Sequence, residues 1–165
     1  MERLYTPWRI EYVKNATKGN QHCIFCVKDE PESFPEKLIL RVSTHSVVMC
    51  NRYPYTSGHL LISPRKHIDD FSALERTVAW EMFALIQESM RIIKKHYNPE
   101  GFNVGMNAGK AAGAGIEDHL HFHVLPRWRG DTNFMTSLNE VRVLPETVLQ
   151  TYERLEPEFK DLEIS

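Results

Sequence analysis

From His119 to Val124 imidazoles alternate with apolar side chains, His119-Leu120-His121-Phe122-His123-Val124, before the chain runs into Leu125-Pro126. A period of two is the period of a strand, in which successive side chains point to opposite faces. The spacing predicts a strand with His119, His121 and His123 on one face and Leu120, Phe122 and Val124 on the other. Its apolar face needs a core, which leaves the imidazole face to line a site. Histidine is the side chain whose ordinary pKa lies nearest neutrality, so a row of three points to chemistry. A polar strand face without function is the plainer alternative.

The rest of the chain supplies partners for that strand. Leu38-Ile39-Leu40 and Ser46-Val47-Val48-Met49-Cys50 read as short strands joined by a turn at Ser43-Thr44-His45. A second turn, Asn51 to Gly58, leads into a strand His59-Leu60-Leu61-Ile62-Ser63, and Phe102 to Met106 reads as another. Ala79, Met82, Phe83, Ile86, Met90, Ile93 and Tyr97 follow helical spacing and predict one long helix, which Asn98-Pro99-Glu100-Gly101 ends. Ser72 and Glu75 have the spacing of a capping box before it. Ala108 to Gly115 is a small-residue loop, and a final helix is expected between Pro145 and Leu155. Short connections favour antiparallel pairing, so the fold class is α+β with a mainly antiparallel sheet.

At 165 residues the chain suits one domain: residues 1–22 as an N-terminal extension, 23–128 as the core and 129–165 as a C-terminal extension. A net charge of -2 argues against nucleic-acid binding through a basic face, though not against a local phosphate pocket. No run has the length to span a membrane, and the N-terminus lacks the apolar segment of a signal peptide. Cysteines number three, with Cys23 and Cys26 in a C-x-x-C pair. That usage reads as cytoplasmic and as metal-binding or redox, not as a secreted disulfide framework.

Three same-face imidazoles have two strong uses. Neutral imidazoles with an open position make a catalytic zinc site, for which Glu117 would be a nearby base. Alternatively, one imidazole attacks an acyl or phosphoryl centre while its second nitrogen is held as a donor. The loop containing Gly109, Gly113 and Gly115 favours phosphoryl chemistry, because its backbone amides can approach anionic oxygens. Lys110, Arg127 and Arg129 add positive charge; the loop as a simple connector is the alternative. Two cysteines alone are half of a tetrahedral zinc site, a redox pair, or small buried residues.

On these residues the chain resembles the histidine triad (HIT) family of nucleotide hydrolases and transferases, whose motif is His-φ-His-φ-His-φ-φ with φ apolar. His119 to Leu125 fits it at every position, and Asn51-Arg52-x-Pro-x-x-x-Gly-His59-Leu60 is similar to the family's upstream nucleotide-binding segment. Leu4-Tyr5-Thr6-Pro7-Trp8-Arg9, Gly101 to Asn107 and Leu125-Pro126-Arg127-Trp128-x-Gly130-Asp131-x-Asn133-Phe134 are most similar to the diadenosine tetraphosphate phosphorylase-like branch. Leu120 and Phe122 replace the proline of the His-Pro-His uridylyltransferase branch.

The resemblance implies a HIT-like fold, a homodimer, and cleavage of dinucleoside polyphosphates through a covalent nucleotidyl-histidine. It makes His121 the nucleophile and places His123 at the phosphate and leaving group, with His59 beside the nucleophile to order the site. Asn51 would bind ribose and Asn107 phosphate oxygens, with Trp128 near that site. Many hydrolase members carry a Gln four residues before the first histidine; Gly115 stands there, which suits loop-held inorganic phosphate as the acceptor. The resemblance also implies a structural zinc on Cys23, Cys26, His67 and His119, with His22 as an alternative to His67. A hydrolase or phosphoramidase using water, and a nucleotide-binding regulatory module with little turnover, are the competing readings.

Overall fold

A computed structural model describes residues 23–131 and 144–163, in which strand β2 (Ser46–Cys50) pairs with β1 (Ile39–Val42) on one side and β3 (Leu60–Pro64) on the other. Strand β5 (Phe122–Arg127) joins β3, and β4 (Gly101–Met106) closes the far edge, giving the order β1-β2-β3-β5-β4 with every pair antiparallel. Helix α1 (Phe34–Lys37) is a single turn before β1; α2 (Arg76–Tyr97) and α3 (Val148–Lys160) are the long ones. The architecture is α+β, as the hydrophobic pattern predicts. Among the described residues no helix is long and apolar enough to cross a membrane.

Alternation along the strands sorts the core into two layers. Leu40, Val48, Cys50, Leu60, Ile62, Phe122 and Val124 bury against α2 and α3. On the opposite face Ile39, Val47, Met49 and Leu61 pack with Phe25. The histidines lie on this second face, with His123 directly across from Leu61.

Several elements differ from the sequence reading, each for a tertiary reason. The histidine strand begins at Phe122, so His119 and His121 precede it. Continuing the β3–β5 ladder would set Leu120 against Pro64, which has no N–H to give. The Leu120 peptide is held instead by the Ile68 carbonyl at 2.7 Å and the Ser63 hydroxyl at 3.0 Å. Strands β1 and β3 are displaced by one or two residues toward the C-terminus relative to the apolar runs.

The buried face of α2 is Val78, Met82, Leu85, Ile86, Ser89, Ile92 and Ile93; Phe83 is 48% exposed and only edges onto Phe122. Ser72 and Glu75 form no capping box. Asp70 accepts from the Ser72 N–H at 2.8 Å and caps a separate turn, Phe71–Ala73. Helix α3 carries a capping box between Thr147 and Gln150 and runs through Pro157 to Lys160. The buried Leu155 and Phe159 anchor it there, and Arg41 of β1 donates to the Phe159 carbonyl at its C-terminal end at 2.9 Å. His96, in the last turn of α2, is half-buried and 3.0 Å from Glu158.

Candidate active site

Four side chains distant in sequence meet beside the entry to β5. The Nδ1 of His119 lies 3.2 Å from Cys23 Sγ and 3.7 Å from Cys26 Sγ, and His67 Nδ1 lies 3.3 Å from Cys26 Sγ. All the ligand atoms of Cys23, Cys26, His67 and His119 fall within 4.8 Å of one another. With sulfur at about 2.3 Å and nitrogen at about 2.0 Å from a zinc ion, tetrahedral ligand atoms stand about 3.3–3.8 Å apart. The donor set and its spacing therefore fit a closed four-ligand site. His119 is prepared for it: its Nε2–H donates to the Pro64 carbonyl at 2.8 Å, which leaves the Nδ1 lone pair on the cysteine side. Burial pushes this imidazole down to about 4 against the opposing hydrogen bond to Pro64, with His67 and His121 lowering it further. Burial and the neighbouring Cys23 hold the Cys26 thiol up at about 11. The alternative ligand His22 lies outside the described residues.

His121 follows, buried at 4% exposure. Its Nδ1–H donates to the carbonyl of His119 at 2.9 Å, so the lone pair resides on Nε2. Burial lowers its pKa against that hydrogen bond and keeps the ring neutral. A neutral imidazole with one nitrogen anchored as donor is the form a nucleophile needs.

His123 and His59 make a pair across β5 and β3, with Nε2 of His59 2.9 Å from Nδ1 of His123. The Tyr55 N–H donates to His59 Nδ1 at 3.1 Å, which makes that nitrogen an acceptor and puts the His59 proton on Nε2. His59 then donates to His123, whose own proton lies on Nε2. This chain of hydrogen bonds fixes both tautomers.

The turn that carries His59 is built from Asn51. Its Oδ1 accepts from the Tyr53 N–H at 3.0 Å and its Nδ2 sits 3.2 Å from His59 Nδ1. Asn51 thus supports His59 directly. Gly58 takes φ +78°, a backbone region that favours glycine, and lies between the Pro126 ring and Tyr97.

The other expected site residues are more dispersed. Asn107 and Gly115 are half-buried at either end of the small-residue loop, in which Gly109 and Gly113 hold φ near +80° around a turn Lys110–Ala112. Trp128 is half-buried just beyond β5 and lines a cavity of about 860 Å³ with Tyr55, Thr56, Ser57 and Tyr97. Arg127 is engaged by Asp131 at 2.5 Å and Asn103 at 2.6 Å, and Arg129 by Glu100 at 3.3 Å, so neither cation is reserved for phosphate. Trp8, the Leu4–Arg9 segment and Asn133-Phe134 lie outside the described residues.

Two neighbours of the histidines escape sequence reasoning. Tyr55 stacks over His123 at 6.0 Å and tilts onto His59 at 4.8 Å. Phe25, within the cysteine pair, stacks on His121 at 4.8 Å. Neither sits at a spacing that points to the histidine row.

Comparison with known proteins agrees with this geometry. The HIT domain family model matches residues 33–130. An AP-4-A phosphorylase of Mycobacterium tuberculosis is 33% identical over 165 residues, covering 96% of this chain and 85% of that protein. A bis(5'-adenosyl)-triphosphatase of Dictyostelium discoideum is 27% identical over 118 residues, covering 71% of this chain and 77% of its own. Among solved structures, a Zn-bound histidine triad family protein from Mycobacterium smegmatis superposes with a TM-score of 0.65 at 24% identity, covering 86% of this chain and 96% of that one.

Proposed function

The chain belongs to the HIT domain family, and on that premise we propose that it cleaves dinucleoside polyphosphates, diadenosine tetraphosphate foremost, by phosphorolysis through a nucleotidyl-His121 intermediate. Dinucleoside polyphosphate processing is what its 33%-identical relative supports; the covalent step is argued from the His121 geometry, and the phosphate acceptor from Gly115 standing where many hydrolase members carry Gln. The single observation that carries the mechanism is the His121 Nδ1–H bond to its neighbour's carbonyl at 2.9 Å.

In this reading His121 Nε2 attacks the α-phosphorus, and the bond from that phosphorus to its bridging oxygen breaks. ATP departs, and AMP remains bonded to the imidazole. Positive charge developing on the ring is stabilised by the His119 carbonyl already bonded to Nδ1–H. His123 presents its Nε2–H to the departing oxygen, held in that tautomer by His59. An oxygen of inorganic phosphate then attacks the phosphorus, His121 leaves as neutral imidazole, and the product is ADP. Water in the same role would give AMP. In this reading Asn51 and Trp128 meet the nucleotide, and Asn107 with the Gly115 loop backbone holds phosphate oxygens.

Zinc suits the Cys23, Cys26, His67 and His119 cluster, because its thiolate and imidazole donors match that ion and leave no open position. Its contribution is structural, tying the Cys23–Cys26 turn to the catalytic segment. A cytoplasmic location suits the free thiols, which a reducing compartment preserves. A homodimer is supported by β4, an edge strand whose Asn103, Val104 and Gly105 are exposed for pairing with a second copy.

The test is incubation with diadenosine tetraphosphate, with and without inorganic phosphate, and identification of the nucleotides. Phosphate-dependent ADP with ATP is the expected result; AMP regardless of phosphate would establish the hydrolase instead. His121→Ala should lose both turnover and covalent labelling by the nucleotide, and normal activity in that variant would sink the mechanism.

A further inference from the structure

Holding an imidazole with one nitrogen aimed at a reacting centre requires two constraints. One decides which edge of the ring faces inward; the other fixes the plane of the ring. The bond from His121 Nδ1 to the His119 carbonyl supplies the first. A single hydrogen bond leaves the ring able to rock about its own axis, so the second constraint must come from packing.

Phe25 supplies that packing. Its side chain is fully buried, and its ring lies 4.8 Å from that of His121 at an interplanar angle of 28°, an offset stack. It also meets His119 at 5.3 Å and 56°, so the same ring touches a candidate metal ligand and the candidate nucleophile. Ile39, Val47, Met49 and Leu61 surround it in the core layer beneath the histidines. The backbone around it is a tight turn, with the Cys26 N–H donating to the Cys23 carbonyl at 3.2 Å and the Val27 N–H to the Phe25 carbonyl at 2.9 Å. The two thiols that flank Phe25 belong to the ligand cluster, while its ring packs on His121 and on the cluster's His119.

We propose that Phe25 is a positioning residue for the His121 imidazole, and that the Cys23–Cys26 turn carries it as a wall against which that ring is aligned. This rests on the reading of His121 as nucleophile. The metal-ligand turn then influences the rate of nucleotidyl transfer through Phe25, without contact with the substrate. Substrate affinity, set elsewhere, is unaffected, so loss of the wall acts on kcat and not on KM.

The experiment compares the full-length, metal-loaded protein with Phe25→Leu and, in parallel, Phe25→Met, two apolar residues of similar size that lack the flat ring. If one of them folds poorly, the other decides. Val47→Ala serves as the control, since Val47 belongs to the same buried cluster but is aliphatic and brings no ring to stack on His121. Two quantities are read: kcat and KM for diadenosine tetraphosphate, and the 15N signals of the His121 imidazole in the resting protein.

For the Phe25 variants kcat should fall about tenfold with KM within about twofold, equivalent to about 1.4 kcal/mol of alignment. Their 15N signals should move from a single Nδ1–H tautomer toward an averaged ring, while Val47→Ala changes neither readout. The proposal is overturned by unchanged 15N signals in the Phe25 variants, by kcat within twofold of wild type, or by an equal loss in Val47→Ala. Should wild type carry the nucleotide label on a residue other than His121, the nucleophile reading fails on its own. The 15N comparison still decides whether Phe25 aligns the ring.

Discussion

Substituting Gly58→Ala measures how firmly the fold holds His59. Gly58 has φ +78°, and an added Cβ would stand 3.3 Å from Pro126 Cγ and 3.5 Å from the Tyr97 ring. The left-handed backbone costs an L residue about 1–2 kcal/mol. The Pro126 contact is tighter than an ordinary van der Waals approach and adds about 1 kcal/mol, because neither neighbour moves easily. Pro126 lies within β5, and Tyr97 donates to Glu146 beneath the Arg154 guanidinium. Against this, alanine restricts the unfolded chain and returns about 0.5–1 kcal/mol.

The net is a destabilisation of about 2 kcal/mol, which for a domain of this size lowers Tm by about 4–8 °C. Urea unfolding of the metal-loaded protein, with thermal melts alongside, reads it directly. The strain also has a functional outlet: if the turn shifts to relieve it, the 2.9 Å bond from His59 to His123 lengthens and kcat falls as well. A change below about 0.5 kcal/mol, or a rise in Tm, would refute the claim that Pro126 and Tyr97 are fixed neighbours.

Three further outcomes are expected. In metal-free protein His119, lowered to about 4, and His121, also lowered, are neutral in the fold but take protons when unfolded below the ordinary histidine pKa of about 6.5. Their contribution is therefore complete above about pH 6.5 and is lost as pH falls through the folded-state pKa of His119, by on the order of 3 kcal/mol for that residue; unfolding free energies flat from pH 7 to 4 would contradict it. Zinc binding at pH 7 should release at least one proton, because the Cys26 thiol sits at about 11 without metal. Calorimetry in buffers of different ionisation enthalpy counts that release, and Cys26→Ser should diminish it. Thr147→Ala removes the capping box of α3 and should cost about 1 kcal/mol in urea unfolding while leaving KM unchanged.

Much of the fold was legible because apolar alternation and helical spacing are local properties. The runs around Val47, Leu61 and Val104, and the long helix, could be placed from them. What the pattern could not supply were the tertiary decisions. Pro64 ends the β3–β5 ladder, so the histidine row starts as strand only at Phe122, although His119 and His121 both still meet the Phe25 ring. Phe83 shares the helical spacing of the buried residues yet is 48% exposed, so periodicity alone does not decide which apolar positions the core covers. The histidines follow the same logic. Their shared face was visible in the spacing, whereas the separate roles proposed for them rest on three different hydrogen-bond partners. Pro64 takes the Nε2 proton of His119 and turns Nδ1 toward the cysteines; the His119 carbonyl takes the Nδ1 proton of His121 and leaves Nε2 nucleophilic; His59 gives a proton to Nδ1 of His123 and leaves Nε2 a donor. Three identical side chains at equal spacing take three different proton arrangements because a different group holds each ring, and those arrangements are what the proposed roles of ligand, nucleophile and donor require.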